Sequence, residues 1–263
     1  MKKYFTIFKS ELMSTLQYIF NIFFKLINYV FMIFILINLW DYIYSNPEEI
    51  INGYSKIQMI WYVIITELIV CSADTRKYCR KIVDDVKCGN IAYMINKPYS
   101  YIGFVISRYL GETLVKVIVS GFVGISIGYI FLKGFPVLTF PAVLIVILSA
   151  MLAIIINAIL VTFIGLVSFF IEDSNPLYWL YSKLILVLGV LFPVEYFPDV
   201  ISKFIKFSPI YVICYGPAKL FVNFSYSSAI KILIVQIIYV FFSWAICYAL
   251  YRKGVRKLNV TGG

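Results

Sequence analysis

The chain has 263 residues, of which 62% are hydrophobic, 19% aromatic and 14% charged; 23 Lys and Arg stand against 13 Asp and Glu, a net charge of +10. A soluble domain is about 45–50% apolar and about 25% charged, so too few polar side chains are present to cover a water-facing surface, and the mean hydropathy of +0.91 marks an integral membrane protein. There is no histidine, which excludes His-dependent triads, HExxH zinc sites and membrane acyltransferases that need a catalytic His.

The five cysteines (Cys71, Cys79, Cys88, Cys214, Cys247) show no CxxC spacing and read as small apolar fillers. The basic excess fits the flanks of membrane spans better than a nucleic-acid surface, because no exposed basic domain exists. Lys9 and Glu11 interrupt any signal-peptide core, so a cleavable leader is not expected.

Within residues 1–20, Phe5, Phe8, Leu12, Leu16, Ile19 and then Phe23 recur three or four residues apart, with Lys2, Lys3, Lys9 and Glu11 off that stripe. This predicts a helix lying in the membrane interface; a simple extension of the first span is the alternative. Spans of roughly 20 apolar residues are expected at 21–44, 57–74, 103–131, 138–170, 177–193 and 229–251. They are punctuated by Ser45-Asn46-Pro47-Glu48-Glu49, the charged stretch after Asp74, Lys133-Gly134-Phe135-Pro136 and Glu172-Asp173-Ser174-Asn175-Pro176. Basic residues crowd into 1–20, 75–102 and 252–263. The other side carries Lys56, Lys133, Lys203, Lys206 and Lys219. The positive-inside bias therefore predicts both termini in the cytoplasm, and an even number of spans fits both being on one side.

The segment 75–102 is the one substantial loop expected on that side. Asn90 is suited to cap a short helix and Pro98 to stop it, and Ile91, Met94 and Ile95 then share an apolar face. Such a helix serves either to dock another protein or to lie on lipid headgroups, and both bury the same kind of face. In the third span, Arg108, Glu112 and Lys116 follow at i, i+4 and i+8, a spacing that allows a charge ladder and is read as a coupling brace. Ser120, Gly124 and Gly128 form one small-residue stripe, and Ser149, Ala153 and Asn157 another, both suited to close helix packing, within the chain before a dimer seam. Glu67 lies mid-way along the second span. It either pairs with a neighbouring helix or lines a path that attracts a cationic substrate.

From 194 to 228 the chain is aromatic and interrupted by prolines. Pro198 and Asp199 open a short helix whose stripe is Phe197, Val200, Ile201, Phe204 and Ile205, while Pro209, Pro217 and Lys219 argue against a seventh span. A re-entrant or surface hairpin is expected, since irregular backbone at membrane depth must be covered by protein or line a wet cavity.

Three stretches resemble one superfamily. The run from Ile82 to Pro98, with Gly89 before an apolar helix and Lys97-Pro98 after it, looks like the coupling-helix region of ABC type-2 transporter permeases. Phe192-Pro193-Val194-Glu195-Tyr196-Phe197-Pro198, with Pro209 and Pro217 beyond, resembles the outward hairpin of those proteins. Tyr251-Arg252-Lys253-Gly254-Val255-Arg256-Lys257, ending in Gly262-Gly263, is similar to the basic closing motif of a six-span branch. The resemblance implies one all-α transmembrane permease domain over 1–263: an interfacial helix (1–20), spans one and two (21–74), a cytoplasmic coupling segment (75–102), spans three to five (103–193), an extracellular or re-entrant hairpin (194–228), span six (229–251) and a cytoplasmic tail (252–263).

It further implies a separate cytoplasmic ABC ATPase in two copies, carrying ATP and Mg, and a second six-span permease, identical or related. Asp84, Asp85, Lys87, Asn90, Tyr93 and Met94 are the positions expected to touch the ATPase. The chain has no G-x-x-x-x-G-K-[ST] of its own, and no metal or catalytic residue is expected. The expected partners include membrane lipid and exclude nucleic acid. Export of an amphipathic drug-like molecule, peptide or lipid is the first expectation, and an ATP-independent secondary transporter the second, although no internal repeat supports it. An intramembrane aspartyl protease is excluded by the absence of a GxGD motif. Abundant Ile, Phe, Tyr and Lys point to an AT-rich genome and to a bacterial cell membrane.

Overall fold

The computed structural model describes residues 2–44, 46, 49–136 and 138–261. Ser45, Pro47, Glu48 and the closing Gly262-Gly263 lie outside the described residues, as do the side chains of Ile19, Ile95 and 258–261.

Helix α1 (Lys2–Gln17) is followed by α2 (Ile19–Ile43), the two separated at Tyr18, whose backbone leaves the helical region at φ −98°, ψ 57°. The interfacial helix is thus a separate element, but its apolar stripe is divided. Phe8, Glu11 and Leu12 face the helix Tyr101–Leu132 at Gly111, and Tyr4 meets Gly103 of the same helix; Phe5, Met13 and Leu16 remain exposed. A two-stranded antiparallel hairpin follows, β1 (Ile50–Ile51) and β2 (Tyr54–Ser55). Its turn is Asn52-Gly53 with φ of 50° and 84°, both left-handed as a tight twisted hairpin turn demands. Ser55 then caps α3 (Lys56–Cys71) in a reciprocal box with Gln58, satisfying two backbone donors that the helix itself leaves unpaired.

Two helices occupy the segment expected as the basic loop: α4 (Thr75–Lys87) and α5 (Asn90–Ile95). Then come α6 (Tyr101–Leu132), α7 (Phe140–Leu166) with a short 3₁₀ extension to Phe169, and α8 (Asn175–Ile185), which widens into a π-helical turn at Leu186–Leu191. After a 3₁₀ turn at Val194–Tyr196 come α9 (Asp199–Phe207), a second π-helical turn at Tyr211–Tyr215, α10 (Gly216–Val222) and α11 (Tyr226–Thr261).

Among the described residues, five helical stretches are long and apolar enough to cross a membrane: Phe20–Ile43, Lys56–Lys87, Tyr101–Leu132, Phe140–Phe169 and Tyr226–Lys257. The expected fifth span, 177–193, falls on the shorter run Asn175–Leu191. It is cut off by Phe192, which is extended, and Pro193. Its counterpart, Tyr211–Val222, is also shorter than the five and is almost wholly buried. The two broken segments pack on each other: a Cβ at Gly189 would lie 2.7 Å from Cys214 Sγ.

A π turn strains the regular hydrogen-bond ladder, and each of these receives a side-chain donor. Tyr62 of α3 donates to the Gly189 carbonyl at 2.8 Å. Gln236 of α11 donates to the Val212 carbonyl at 2.9 Å and to Ser149 of α7 at 3.0 Å. The small residues of α6 and α7 serve packing within the chain. A Cβ on Gly124 would sit 2.2 Å from the Tyr29 hydroxyl of α2, and one on Gly128 2.5 Å from the Trp61 ring of α3. Ser149, Ala153 and Asn157 of α7 are all buried.

Gly128→Ala places a methyl group against the Trp61 indole, which is fully buried and fixed by an Nε1–H bond to the Gly134 carbonyl at 3.2 Å. Overpacking of this kind costs about 1–3 kcal/mol. A lowered thermal unfolding temperature in detergent is expected for Gly128→Ala, and an unchanged one for Gly134→Ala, whose nearest contact is 3.6 Å away.

Candidate functional site

At the end of the bundle that carries both termini, α4 is an amphipathic helix whose apolar face is Cys79, Ile82, Val83 and Val86, all buried. Ile82 lies where a Cβ on Gly165 of α7 would come within 2.8 Å. Polar pins reinforce this seat: Tyr78 and Thr162 of α7 share a hydrogen bond at 2.7 Å, and Thr75 and Tyr178 of α8 share one at 2.6 Å. Beyond α8's first turns, the Tyr181 hydroxyl donates to Asn157 Oδ1 of α7 at 2.7 Å. A displacement of α4 must therefore move α7 and α8.

Gly89, at φ 71°, turns the chain from α4 into α5, a left-handed conformation that suits glycine. Asn90 is not the cap expected from the sequence. It is the first helical residue, and its amide donates to Asp85 at 3.4 Å. Asp85 also accepts from the Tyr101 hydroxyl at 2.9 Å, which ties α4 to the start of α6. Ile91 is buried and Met94 half-buried in the core formed with Ile82, Val86 and Tyr101. Ile95, expected on the same face, lies outside the described side chains. The exposed surface is made by Asp84, Lys87, Asn90 and Tyr93, the last 70% exposed with Lys97 4.8 Å over its ring. Lys87 reaches Asp173 at 3.8 Å.

The expected ladder along α6 divides. Lys116, itself buried, pairs with Glu112 at 2.6 Å, but Arg108 turns to Glu11 of α1 in a two-pronged bond at 2.7 and 2.9 Å. The α1 helix competes for the guanidinium and wins because its carboxylate meets the planar fork edge-on. Lys3 donates to the Pro98 carbonyl, and Tyr4 accepts from the Ser100 backbone at 3.0 Å, so α1 fastens the junction between α5 and α6.

A cleft of about 210 Å³ opens among α2, α3, α7 and α8 near the same end, lined by Asn28, Cys71, Asn157, Tyr178 and Tyr181. An ion pair between Lys25 and Asp74 at 3.3 Å stands at its edge. Glu67 lies one turn above Cys71, 2% exposed. It hydrogen-bonds with the Cys71 thiol, and its Oε2 has no hydrogen-bond partner among the described residues. Its expected pairing with a neighbouring helix is not what the geometry shows; its nearest partner is on its own helix.

The opposite end is closed by a network that the sequence did not disclose. Glu195 accepts from Tyr215 at 2.5 Å and from Tyr54 at 3.2 Å, and Lys219 bridges to Glu195 at 3.4 Å and to the Tyr54 oxygen at 3.0 Å. Burial first, and then the Glu195 charge, push the Tyr54 phenol up, keeping it a donor. Tyr44 donates to the Tyr54 carbonyl at 2.9 Å, and Tyr196 to that of Ile51 at 3.1 Å. The β-hairpin, the 194–196 turn and the second π turn are thereby tied together. A lone acid set between Pro193 and Pro198 in an aromatic segment, and the Asn-Gly pair, were the available signals. The hairpin helix α9 faces outward: Phe197 is half-buried, Val200, Ile201 and Phe204 are exposed, and Ile205 of the expected stripe is buried instead. Pro209 is half-buried and Pro217 buried, beginning the inward segment.

A family model described as ABC-2 family transporter protein matches residues 26–262. No curated protein sequence matches the chain.

The Glu11–Arg108 bond gives α1 a pH dependence. Burial raises the Glu11 carboxyl, but its bonds to Arg108, and the charges of Arg108, Lys81 and Lys77, hold it below its ordinary 4.5. A depressed folded value means the stabilisation is complete above the unfolded value and is lost as pH falls through the folded one. A spin label at Ser10 is expected to gain mobility as pH drops below the ordinary carboxylate range. Glu11→Gln is expected to be mobile and flat across that range; a flat wild-type profile counts against the pair as the fastening of α1.

Proposed function

The chain belongs to the ABC-2 transporter family, and we propose that within it the protein is the membrane-spanning permease of an exporter that moves an amphipathic substrate outward. Drug-like molecules, peptides and lipids are the substrate classes. Membership makes the chain a membrane subunit and implies an ABC ATPase partner. The finer reading is a complex of two ATPase copies and two permeases, identical or related. ATP and Mg are held by the ATPase, and the permease carries no nucleotide site. The basic end faces the cytoplasm of a bacterial cell with both termini, and the broken run Asn175–Leu191 counts as the fifth of six spans, paired with the re-entrant hairpin.

One observation carries this reading: α5 presents Tyr93, Asn90 and its flanking charges outward, while the helix before it is pinned to α7 and α8 by Tyr78–Thr162 and Thr75–Tyr178. A push on α5 passes through the Asp85 bonds and the Gly89 turn into α4, and from α4 into the two helices that wall the 210 Å³ cleft. ATP-driven closure of the ATPase pair supplies that push, and the cleft is the inner mouth of the path. Alternating access then consists of shutting this mouth and releasing the Glu195 network at the other end.

The second reading, an ATP-independent secondary transporter, rests on Glu67, whose unpartnered oxygen lies one turn from the cleft. A buried intramembrane carboxyl is what proton coupling would use.

Gentle-detergent purification of the tagged chain from its own membranes separates the two. Co-purification of an ATP-binding subunit is expected, reduced at least tenfold by Tyr93→Asp with Met94→Asp. Because Met94 is half-buried, Tyr93→Asp alone serves as the variant that leaves the core intact. A chain that purifies alone under every mild condition overturns the exporter reading, and transport by Glu67→Gln then becomes the deciding measurement.

A further inference from the structure

A second cleft, of about 80 Å³, lies between α1, α4 and α6 and is lined by Lys77, Lys81, Arg108, Glu11 and Glu112. Both carboxylates are already committed. Glu11 is held edge-on by Arg108 at 2.7 and 2.9 Å, and Glu112 pairs with buried Lys116 at 2.6 Å. Lys77 and Lys81 remain as the surplus, four residues apart on one face of α4 and both exposed. Lys81 is acted on by the like charges of Arg108 and Lys77 as well as by Asp85 and Glu11; Asp85 is occupied by Tyr101 and Asn90. The cleft is thus a built cationic notch with its acids neutralised, in want of an anion.

Its level in the membrane is marked by α1, whose Phe5, Met13 and Leu16 are exposed apolar groups on a helix carrying Lys2, Lys3 and Lys9. Such a helix lies at the boundary between headgroups and acyl chains. Anionic headgroups are the anions concentrated at that depth, and basic pockets between helices are suited to hold them. The volume admits a phosphate with its ester oxygens.

We propose that the cleft between α1, α4 and α6 binds the phosphate of an anionic phospholipid, gripped by Lys77 and Lys81. The bound lipid bridges the interfacial helix to the helix that precedes the coupling segment, so the composition of the leaflet bears on how stiffly α4 is held. Only the assignment of the cytoplasmic leaflet rests on the orientation proposed above. A nanodisc offers both leaflets, so a wrong orientation leaves binding intact.

The test uses the full chain in nanodiscs of phosphatidylcholine doped with phosphatidylglycerol, followed by release into detergent and native mass spectrometry. One phosphatidylglycerol per chain is expected to be retained over phosphatidylcholine. Lys77→Gln with Lys81→Gln is expected to weaken retention roughly thirtyfold, from the ordinary worth of two lysines at an anionic surface. Lys203→Gln with Lys206→Gln, on α9, is expected to leave it unchanged. Should the double variant fail to fold, Lys77→Gln and Lys81→Gln singly are each expected to weaken retention about fivefold, and Lys77→Arg with Lys81→Arg to preserve it. Equal retention of the two lipids, or equal retention by wild type and the Gln variants, overturns the site. Lysine-dependent capture of inorganic phosphate with no lipid retained assigns the notch to a free anion and overturns the lipid. Independently, labelling of exposed Cys88 by an impermeant maleimide in sealed cells reads the orientation, and labelling there overturns the cytoplasmic assignment alone.

Discussion

A bilayer offers no water to a carbonyl released from a helix, and this constraint governs the centre of the molecule. Two apolar segments are shorter than the five long helices, and each contains a widened turn whose ladder is imperfect. Both turns sit where a long helix can reach them: Tyr62 supplies a hydroxyl to Gly189 and Gln236 supplies an amide to Val212. The broken pair is therefore assembled against α3, α7 and α11, and the close seat of Gly189 on Cys214 follows from that placement. Remove the donors and each of these carbonyls loses its side-chain partner.

Glu67 and the Lys116–Glu112 pair apart, charge gathers toward the two ends, and there it fastens elements that chain connectivity alone would leave loose. On the basic end, Glu11–Arg108, Lys25–Asp74 and Lys87–Asp173 link α1 to α6, α2 to the start of α4, and α4 to the approach of α8. At the other end, Asp41–Lys56 spans the β-hairpin and Glu195–Lys219 joins the two halves of the aromatic cap. Exposed pairs of this kind contribute little individually. Their effect is positional: they choose which helix ends stay together while apolar surfaces slide. The middle of the bundle is held by shape, chiefly the small residues of α6 against Tyr29 and Trp61.

The long helices were legible because hydropathy is a local property. Spans one to four and six stand within a few residues of where apolar runs placed them, and the break at Tyr18 separates the amphipathic start from the first span. Partner choice was not legible. Arg108 has an acid four residues ahead, Glu112, and nothing local reveals that Glu11, far away in sequence, takes it instead. Helix α4 was hidden inside a stretch read for its charge, although Cys79, Ile82, Val83 and Val86 repeat at helical spacing; its core partner, Gly165, is on another helix. Glu195 was passed over for the opposite reason: its partners Tyr54, Tyr215 and Lys219 belong to three elements, and only folding brings them within reach.

Helix α3 connects the two ends as a single rod. Its sixteen residues span roughly 24 Å at 1.5 Å per residue, with the Lys25–Asp74 pair and α4 just past one end and the Ser55 capping box at the other. Tyr62 sits between, on the Gly189 carbonyl. With the basic end as pivot, a tilt of about 5° carries Tyr62, roughly 14 Å along the rod, through about 1 Å, enough to take its 2.8 Å bond beyond hydrogen-bond range. Such a contact acts as a threshold rather than a spring: rocking below that angle leaves Tyr62 on its carbonyl, and a larger tilt releases it. The Tyr62 contact thus behaves as a binary element driven by an analogue input.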